Sequence, residues 1–461
     1  MKVLKRVLVA GAAAGCIIGS TAGAAFANQP YPLLTSGGAA PQGIAQWIRM
    51  GGADASYVVM SDLARLYNTA PGCLVQVPVG STQQYDGSCA DQDPNTAGVQ
   101  VVYENDGASN ASDDGNPEHD VAFNYAPIGA AGGLTQITNE PAAGYQYLEV
   151  ARVSRARKAS DNANLRFFAF AIDSIPWVHW ASGSGDPSFG VNSLTIARLK
   201  NAFNDCSANA SSPQVDLVAN GGNGNGVADW GDLGGVTGQP ILTWSTPATA
   251  ATRTAFEGFL GSGVNSTNCI PDQYKDGQLA NGERVILQND ASPIIDTGNT
   301  PKNLNCQELS ATSSCEKNSL WFYDAGRWIQ NNPGSTIGQP GSFDGSILGS
   351  VTVAGSPVAP TQANVVSGAY PLWRYLYNAI RYSFPAENAS NAARNFVAAQ
   401  GFLCKDDGTH GTANKLPVNP FTKHNYRTDI ENTIIADGFY PIPWGDAGGP
   451  AAGTNSYCRV S

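Results

Sequence analysis

Helical segments alternate along this chain with short apolar strands, and that alternation narrows the fold more than any other feature. Tyr57 to Tyr67 (YVVMSDLARLY) places Val59, Leu63 and Leu66 on one helical face, with Asp54 or Ser56 as the expected N-cap. Leu165 to Ile172 (LRFFAFAI) and Arg284 to Leu287 (RVIL) read as strands. Leu194 to Phe203, capped by Asn192 or Ser193, Thr252 to Leu260, Phe322 to Asn331 and Asn391 to Gly401 read as further helices. Leu372 to Ile380 (LWRYLYNAI) is apolar with a polar flank. Strand–helix alternation implies an α/β architecture with largely parallel sheets. The polar, Gly/Asn-rich stretches 80–98, 104–120, 219–238, 296–319 and 332–345 read as surface insertions.

Composition removes several classes. Of 461 residues only 14% are charged, against about 25% in an average globular protein, while 42% are hydrophobic. That is too apolar for a disordered chain. With 52 Gly and 28 Pro, it is too interrupted for a coiled coil or helical solenoid. The formal charge of −11 leaves nothing to neutralise phosphates, which argues against a nucleic-acid partner.

The N-terminus reads as an export signal. Lys2, Lys5 and Arg6 precede an apolar run from Val7 to Ile18, and Ala25-Phe26-Ala27 supplies the small-x-small cleavage pattern. The run is too short to span a bilayer comfortably. Cleavage after Ala27 takes away three positive charges and no acid, moving the formal charge from −11 to −14. Ala14-Gly15-Cys16 only faintly resembles a lipoprotein box, so lipidation at Cys16 is the lesser reading. Beyond Cys16, eight cysteines remain, an even number that fits disulfides in an exported chain. Pairing in sequence order gives Cys73–Cys89, Cys206–Cys269, Cys306–Cys315 and Cys404–Cys458. Zinc is the rival use, but C-x2-C is absent and only four histidines occur.

No catalytic constellation is visible. The chain lacks G-x-S-x-G, H-E-x-x-H and the P-loop, and the Gly-rich run Asn220 to Gly226 lacks a following Lys-Ser/Thr. An anion-binding site has more support. Gly52-Ala53-Asp54-Ala55-Ser56 and Thr246 to Arg253 place small polar residues where helices begin, so first-turn N–H groups and the helix dipole favour an anion. Arg253 adds a guanidinium, and Val153-Ser154-Arg155-Ala156-Arg157-Lys158 sets a hydroxyl beside a basic run. Taken singly, each also reads as an ordinary cap or solvated turn.

These segments resemble the phosphate-binding-protein-like branch of periplasmic substrate-binding proteins, in its secreted Gram-positive form. Gly52-Ala53-Asp54-Ala55-Ser56 through Leu66-Tyr67-Asn68 is similar to the family's Gly-Ser-Asp-Thr opening and its helix. Ala151-Arg152-Val153-Ser154-Arg155 and Lys158-Ala159-Ser160-Asp161 match Ala-Arg-Ser-Ser-Arg and Lys-Ala-Ser-Asp. Ala171-Ile172-Asp173-Ser174-Ile175-Pro176-Trp177 matches the strand that follows. Leu194-Thr195 to Leu199-Lys200, Trp230, Gly234-Gly235, and Tyr370-Pro371-Leu372 with Leu376-Tyr377-Asn378 continue the order. One segment departs: Thr249-Ala250-Ala251-Thr252-Arg253 stands where the family has Gly-Ser-Gly-Thr-Arg, losing a hydroxyl donor worth roughly 0.5–1.5 kcal/mol. Ala55 stands where a threonine is usual, with Ser56 adjacent.

The resemblance implies a type 2 periplasmic-binding-protein fold, an α/β protein of two lobes with the ligand between them. Lobe 1 would be 28–168 plus 372–461 and lobe 2 would be 169–371. It further implies a secreted, monomeric, non-enzymatic protein without a cofactor, capturing an oxyanion, phosphate first, for an ABC permease. The implied ligand set is Ala55, Ser56, Ser154, Arg155, Thr252 and Arg253, with Asp54 or Asp173 accepting from a protonated oxyanion. A surface protein that kept the fold and lost the ligand, and a secreted phosphatase-like hydrolase, are the rivals.

Overall fold

The structure, a computed structural model, describes residues 44–69, 74–78, 99–103, 119–138, 148–180, 188–204, 230–237, 241–247, 250–261, 315–381, 401–410, 422–445 and 457–460, with isolated positions between them. Residues 1–43, including the export signal and Cys16, lie outside these, as does the expected strand 284–287; of the helix expected at 391–401, residues 393, 396–398 and 401 are described.

In chain order the first elements are β1 (Ile44–Gly52), α1 (Tyr57–Thr69), β2 (Leu74–Pro78), β3 (Val99–Tyr103), β4 (His119–Pro127), α2 (Gly129–Thr138), β5 (Val150–Val153), β6 (Leu165–Ser174) and β7 (Trp177–Trp180). Next come β8 (Ser193–Leu194), α3 (Ile196–Asn204), β9 (Leu242–Thr243), α4 (Ala251–Leu260), α5 (Cys315–Asn318), β10 (Ser319–Phe322) and α6 (Ala325–Asn331). The last group is β11 (Ser346–Leu348), β12 (Ser350–Val353), β13 (Ser356–Val358), α7 (Gln362–Val366), β14 (Trp373–Arg381), α8 (Tyr426–Ala436), β15 (Tyr440–Pro441) and β16 (Arg459–Val460).

The architecture is α/β, as the alternation implies, but the main sheet is mixed and not largely parallel. Its order is β15-β6-β14-β5-β1-β4, with β16 also on β6. Strands β4, β1 and β5 run parallel, whereas β14 pairs antiparallel with both β5 and β6. The cause is long-range: β14 returns more than 190 residues after β6 and inserts between β6 and β5. A second sheet has the order β11-β7-β10-β9, and β12 joins β13 and β8 in a third. Pro176, which has no N–H to extend a ladder, stands between the end of β6 and the start of β7. There the Ile175 N–H bonds to the Leu372 carbonyl at 2.9 Å, so the two chain passages between the sheets run side by side.

Strand β6 is buried on both faces, which explains its unbroken apolar run. Leu165, Phe167 and Ala169 enter one core, with Trp177, Phe256 and Trp321; Phe168 and Phe170 enter another, with Met60, Leu376 and Tyr426. A register shift against β14 leaves Phe170 without a paired residue, since Leu376 faces Ala171 and Tyr377 faces Ala169. The pleat therefore changes phase: Ala171 joins the second core and Ile172 the first. By the same alternation Asp173 lies on the Ala171 face, opposite Arg374.

Several local expectations change. Helix α3 begins two residues late and is capped by Thr195, whose Oγ1 accepts from the Arg198 N–H at 3.2 Å; Ser193 is committed to β8, its hydroxyl bonded to Thr352 at 2.6 Å. The helix expected from Phe322 starts at Ala325, because Phe322 pairs with Trp177 in β10. Ser56 does not cap α1 through its hydroxyl, which has no hydrogen bond among the described residues. Of the disulfides, Cys404–Cys458 is present, with Cα atoms 5.1 Å apart. The pairs Cys73–Cys89, Cys206–Cys269 and Cys306–Cys315 involve side chains outside the described residues.

Candidate functional site

Strands β1 and β5 end together, and the turn into α1 is built on that edge. Gly52 has φ +124°, and a Cβ there would meet the Arg152 carbonyl oxygen at 2.4 Å, so glycine is required. The next residue locks on, the Ala53 N–H bonding the same carbonyl at 2.9 Å. Arg152, fully buried, braces this turn from below. Its Nε donates to the Ala53 carbonyl at 3.1 Å, its Nη1 to the Tyr125 carbonyl at 3.1 Å and to Asn124, and its guanidinium lies 5.2 Å from the Tyr57 ring centre. Ser56 and Ser154 follow the two strands. Both are buried, and neither hydroxyl has a hydrogen-bond partner among the described residues. The carboxyl edge of parallel strands is where open α/β sheets receive ligands.

A buried charge cluster lies at the end of β6. Arg374 donates through Nε and Nη2 to Asp173 Oδ2, at 3.1 and 3.0 Å, and through Nη2 to Asp324 Oδ1. Asp324 stands at the N-cap position of α6 but makes no cap hydrogen bond; instead it accepts from Thr252 Oγ1, 3.0 and 2.9 Å from its two oxygens. Thr252 is the second residue of α4. Arg327 reaches Asp54 at 3.3 Å, linking α6 to the turn before α1. Three carboxylates thus face two guanidiniums, leaving one net negative charge. Burial pushes the Asp173 carboxyl up to about 7, with the neighbouring Asp324 adding to the rise and Arg374 opposing it. Asp324 is raised chiefly by burial as well. Such a pair titrates as a unit. Arg374 Nη1 has no hydrogen-bond partner among the described residues.

The residues expected from the sequence separate into two groups. Asp54, Asp173 and Thr252 are gathered into this cluster, and Ser56 and Ser154 occupy neighbouring strand ends, with buried Ala55 beside Ser56. The two arginines are engaged elsewhere. Arg155 grips both oxygens of Asp161, at 2.7 and 2.8 Å. Arg253 holds Glu257 at 2.8 Å, one turn on, and donates to the Thr246 carbonyl at 3.3 Å. Sequence reasoning missed Arg374, Asp324 and Arg327. Arg374 had a signal, being a lone charge inside LWRYLYNAI, and Asp324 had one as an acid between an apolar strand and a helix.

One group of potential metal ligands occurs among the described residues: Asp406, Asp407 and His410. His410 Nδ1 is 2.9 Å from Asp406, and its ring stacks on Trp444. Among the described residues, no helix is long and apolar enough to cross a membrane.

No protein-family model matches the chain, and no curated protein does. Among solved structures it is similar to a protein described as a phosphate ABC transporter substrate-binding protein, with bound phosphate, from Clostridium perfringens, at 12% identity and TM-score 0.41 over 86% of this chain and 98% of that one. It is similar to an ABC-type phosphate transport receptor from Vibrio cholerae at 14% identity and TM-score 0.42, over 85% and 99%. It is also similar to full-length OxyR from Pseudomonas aeruginosa at 7% identity and TM-score 0.33, over 77% and 68%.

Proposed function

We propose that this protein is a secreted solute-binding protein whose cleft captures a tetrahedral oxyanion, phosphate first, for delivery to an ABC permease. The observation that carries the reading is the pair of buried, unpartnered hydroxyls, Ser56 and Ser154, at the carboxyl edge of β1 and β5 where α1 begins. A buried hydroxyl without a partner costs about 1–3 kcal/mol, and an anion accepting from both would offset that cost. Thr252 at the start of α4 would supply a third hydroxyl once it turns from Asp324, and the N-termini of α1 and α4 a favourable dipole. Arg253 and Arg155 would serve only after exchanging their present carboxylate partners. In this reading lobe 1 comprises 28–168 with 372–461, lobe 2 comprises 169–371, and residues 1–27 are removed on export.

Isothermal titration with phosphate and sulfate tests it: heat with phosphate is expected, and none would remove the leading ligand. A second reading has a specific observation behind it. Thr252, Arg155 and Arg253 are all bonded internally, as in a scaffold that kept the fold without a ligand. A melting temperature unmoved by a panel of anions would favour it, because a ligand of the folded state must raise that temperature.

A further inference from the structure

The cleft proposed for an oxyanion is already acidic, and this shapes how it could bind one. Asp54, Asp173 and Asp324 outnumber Arg327 and Arg374, and the side chains of Asp173 and Asp324 are fully buried. Arg374 spends its Nε and Nη2 on these two aspartates, and Thr252 gives its one hydroxyl proton to Asp324. An anion arriving among these groups meets one uncompensated negative charge in a medium that screens it poorly. Either it stays out or the cluster loses that charge. We infer that the cleft takes up a proton from solvent as it binds an oxyanion, shared between Asp173 and Asp324, so that capture is favoured in acid and opposed in base. The inference rests on the oxyanion reading of the same cleft.

Among the described residues, groups reach the pair from five segments. β14 brings Arg374; α6 brings Arg327 and the backbone N–H of Gly326; α4 brings Thr252, with the Arg253–Glu257 pair one residue on; the turn before α1 brings Asp54; β15 brings Tyr440. Tyr440 donates its proton to the Pro360 carbonyl at 3.0 Å and is held well above the ordinary tyrosine range by burial and by Asp173, so it stays neutral. Among the described protein groups that face the pair, the carboxyls are the ones to titrate near neutrality, and burial already pushes Asp173 up to about 7 in the ligand-free protein. A bound anion raises both further.

The test is calorimetric. Phosphate is titrated into the full-length mature protein at pH 6.5, 7.5 and 8.5, each in two buffers of different ionisation enthalpy, to count protons exchanged. At pH 8.5 the wild type is expected to take up close to one proton per phosphate, and affinity should fall about tenfold per pH unit above pH 7. Asp324→Asn and, separately, Asp173→Asn remove one carboxylate while keeping an acceptor; each should flatten that slope and abolish the uptake at pH 8.5. Phosphate binding without proton uptake at pH 8.5 overturns the inference and leaves the oxyanion reading standing. Absence of heat with the wild type at every pH overturns both. Phosphate itself gains a proton near pH 7, so uptake that persists in both variants belongs to the ligand and overturns the inference. If neither variant folds, the phosphorus NMR shift of the bound phosphate decides, a dianion at pH 8.5 leaving the proton on the cluster and a monoanion overturning the inference.

Discussion

Arg374 is a single guanidinium buried between two carboxylates, so its removal should be severe. Arg374→Met would leave Asp173 and Asp324 facing each other without a counter-charge, at a cost of about 3–5 kcal/mol. Urea unfolding measures it, and the loss should shrink at pH 5, where protonation relieves the repulsion. Arg253 behaves differently. Because Glu257 and the Thr246 carbonyl already hold it, Arg253→Ala is expected to lower stability by about 1 kcal/mol and phosphate affinity by less than tenfold. A larger affinity loss in titration calorimetry would mean that the guanidinium leaves Glu257 for the ligand. At this scale the sequence was legible only where chemistry is local. Asp54, Ser56 and Ser154 stand out because small polar residues precede a helical period or follow a strand. Nothing local ties Arg374 to Asp173, 201 positions away, so the pair could be seen only as two isolated charges in apolar runs.

Helices with a clear 3.6-residue spacing, α1, α3 and α4, were readable to within two or three residues at either end. The strand–helix boundary at Phe322 was not, since Ser-Leu-Trp-Phe-Tyr suits a buried strand and a buried helical turn equally. The bulge at Phe170 has no sequence signature either, though it decides which way Asp173 faces. The turn joining β1 to α1 offers the clearest test at this scale. Gly52→Ala would combine positive φ with a clash against the Arg152 carbonyl. It should cost about 1–3 kcal/mol through strain, more if the edge cannot yield, and should displace Ser56 from Ser154. Thermal melting reads the first effect, and a loss of phosphate affinity in the variant that still folds reads the second.

Over the whole molecule, buried carboxyls set an unusual pH response. Asp173, Glu149 and Asp437 are each pushed up to about 7 by burial, so the folded chain holds these protons more tightly than the unfolded chain does. Their contribution to stability is complete below about pH 4, the unfolded range, and is lost as pH rises through 7. The melting temperature is therefore expected to fall between pH 5 and pH 8, and Asp173→Asn should flatten the decline. The disulfide acts on the unfolded chain. Cys404–Cys458 closes a loop of 54 residues, which loop entropy values at about 4 kcal/mol. Cys404→Ala with Cys458→Ala should lower unfolding free energy by about that much. The α/β class was legible because periodicity is local; the mixed sheet was not, because β14 lies between strands that are remote from it in sequence.

The hydrogen bond from Ile175 to Leu372 has a mechanical corollary. Two independent tethers would let the parts they join twist, slide and tilt. Here the tethers continue as β6 and β14, laced rung by rung from Ser174–Trp373 to Leu165–Arg381, and so form one ribbon. A ribbon flexes readily across its thin dimension and resists shear within its plane. Any tilt of the second sheet against the first would therefore have to bend this pair of strands where it leaves the main sheet, beside Asp173 and Arg374.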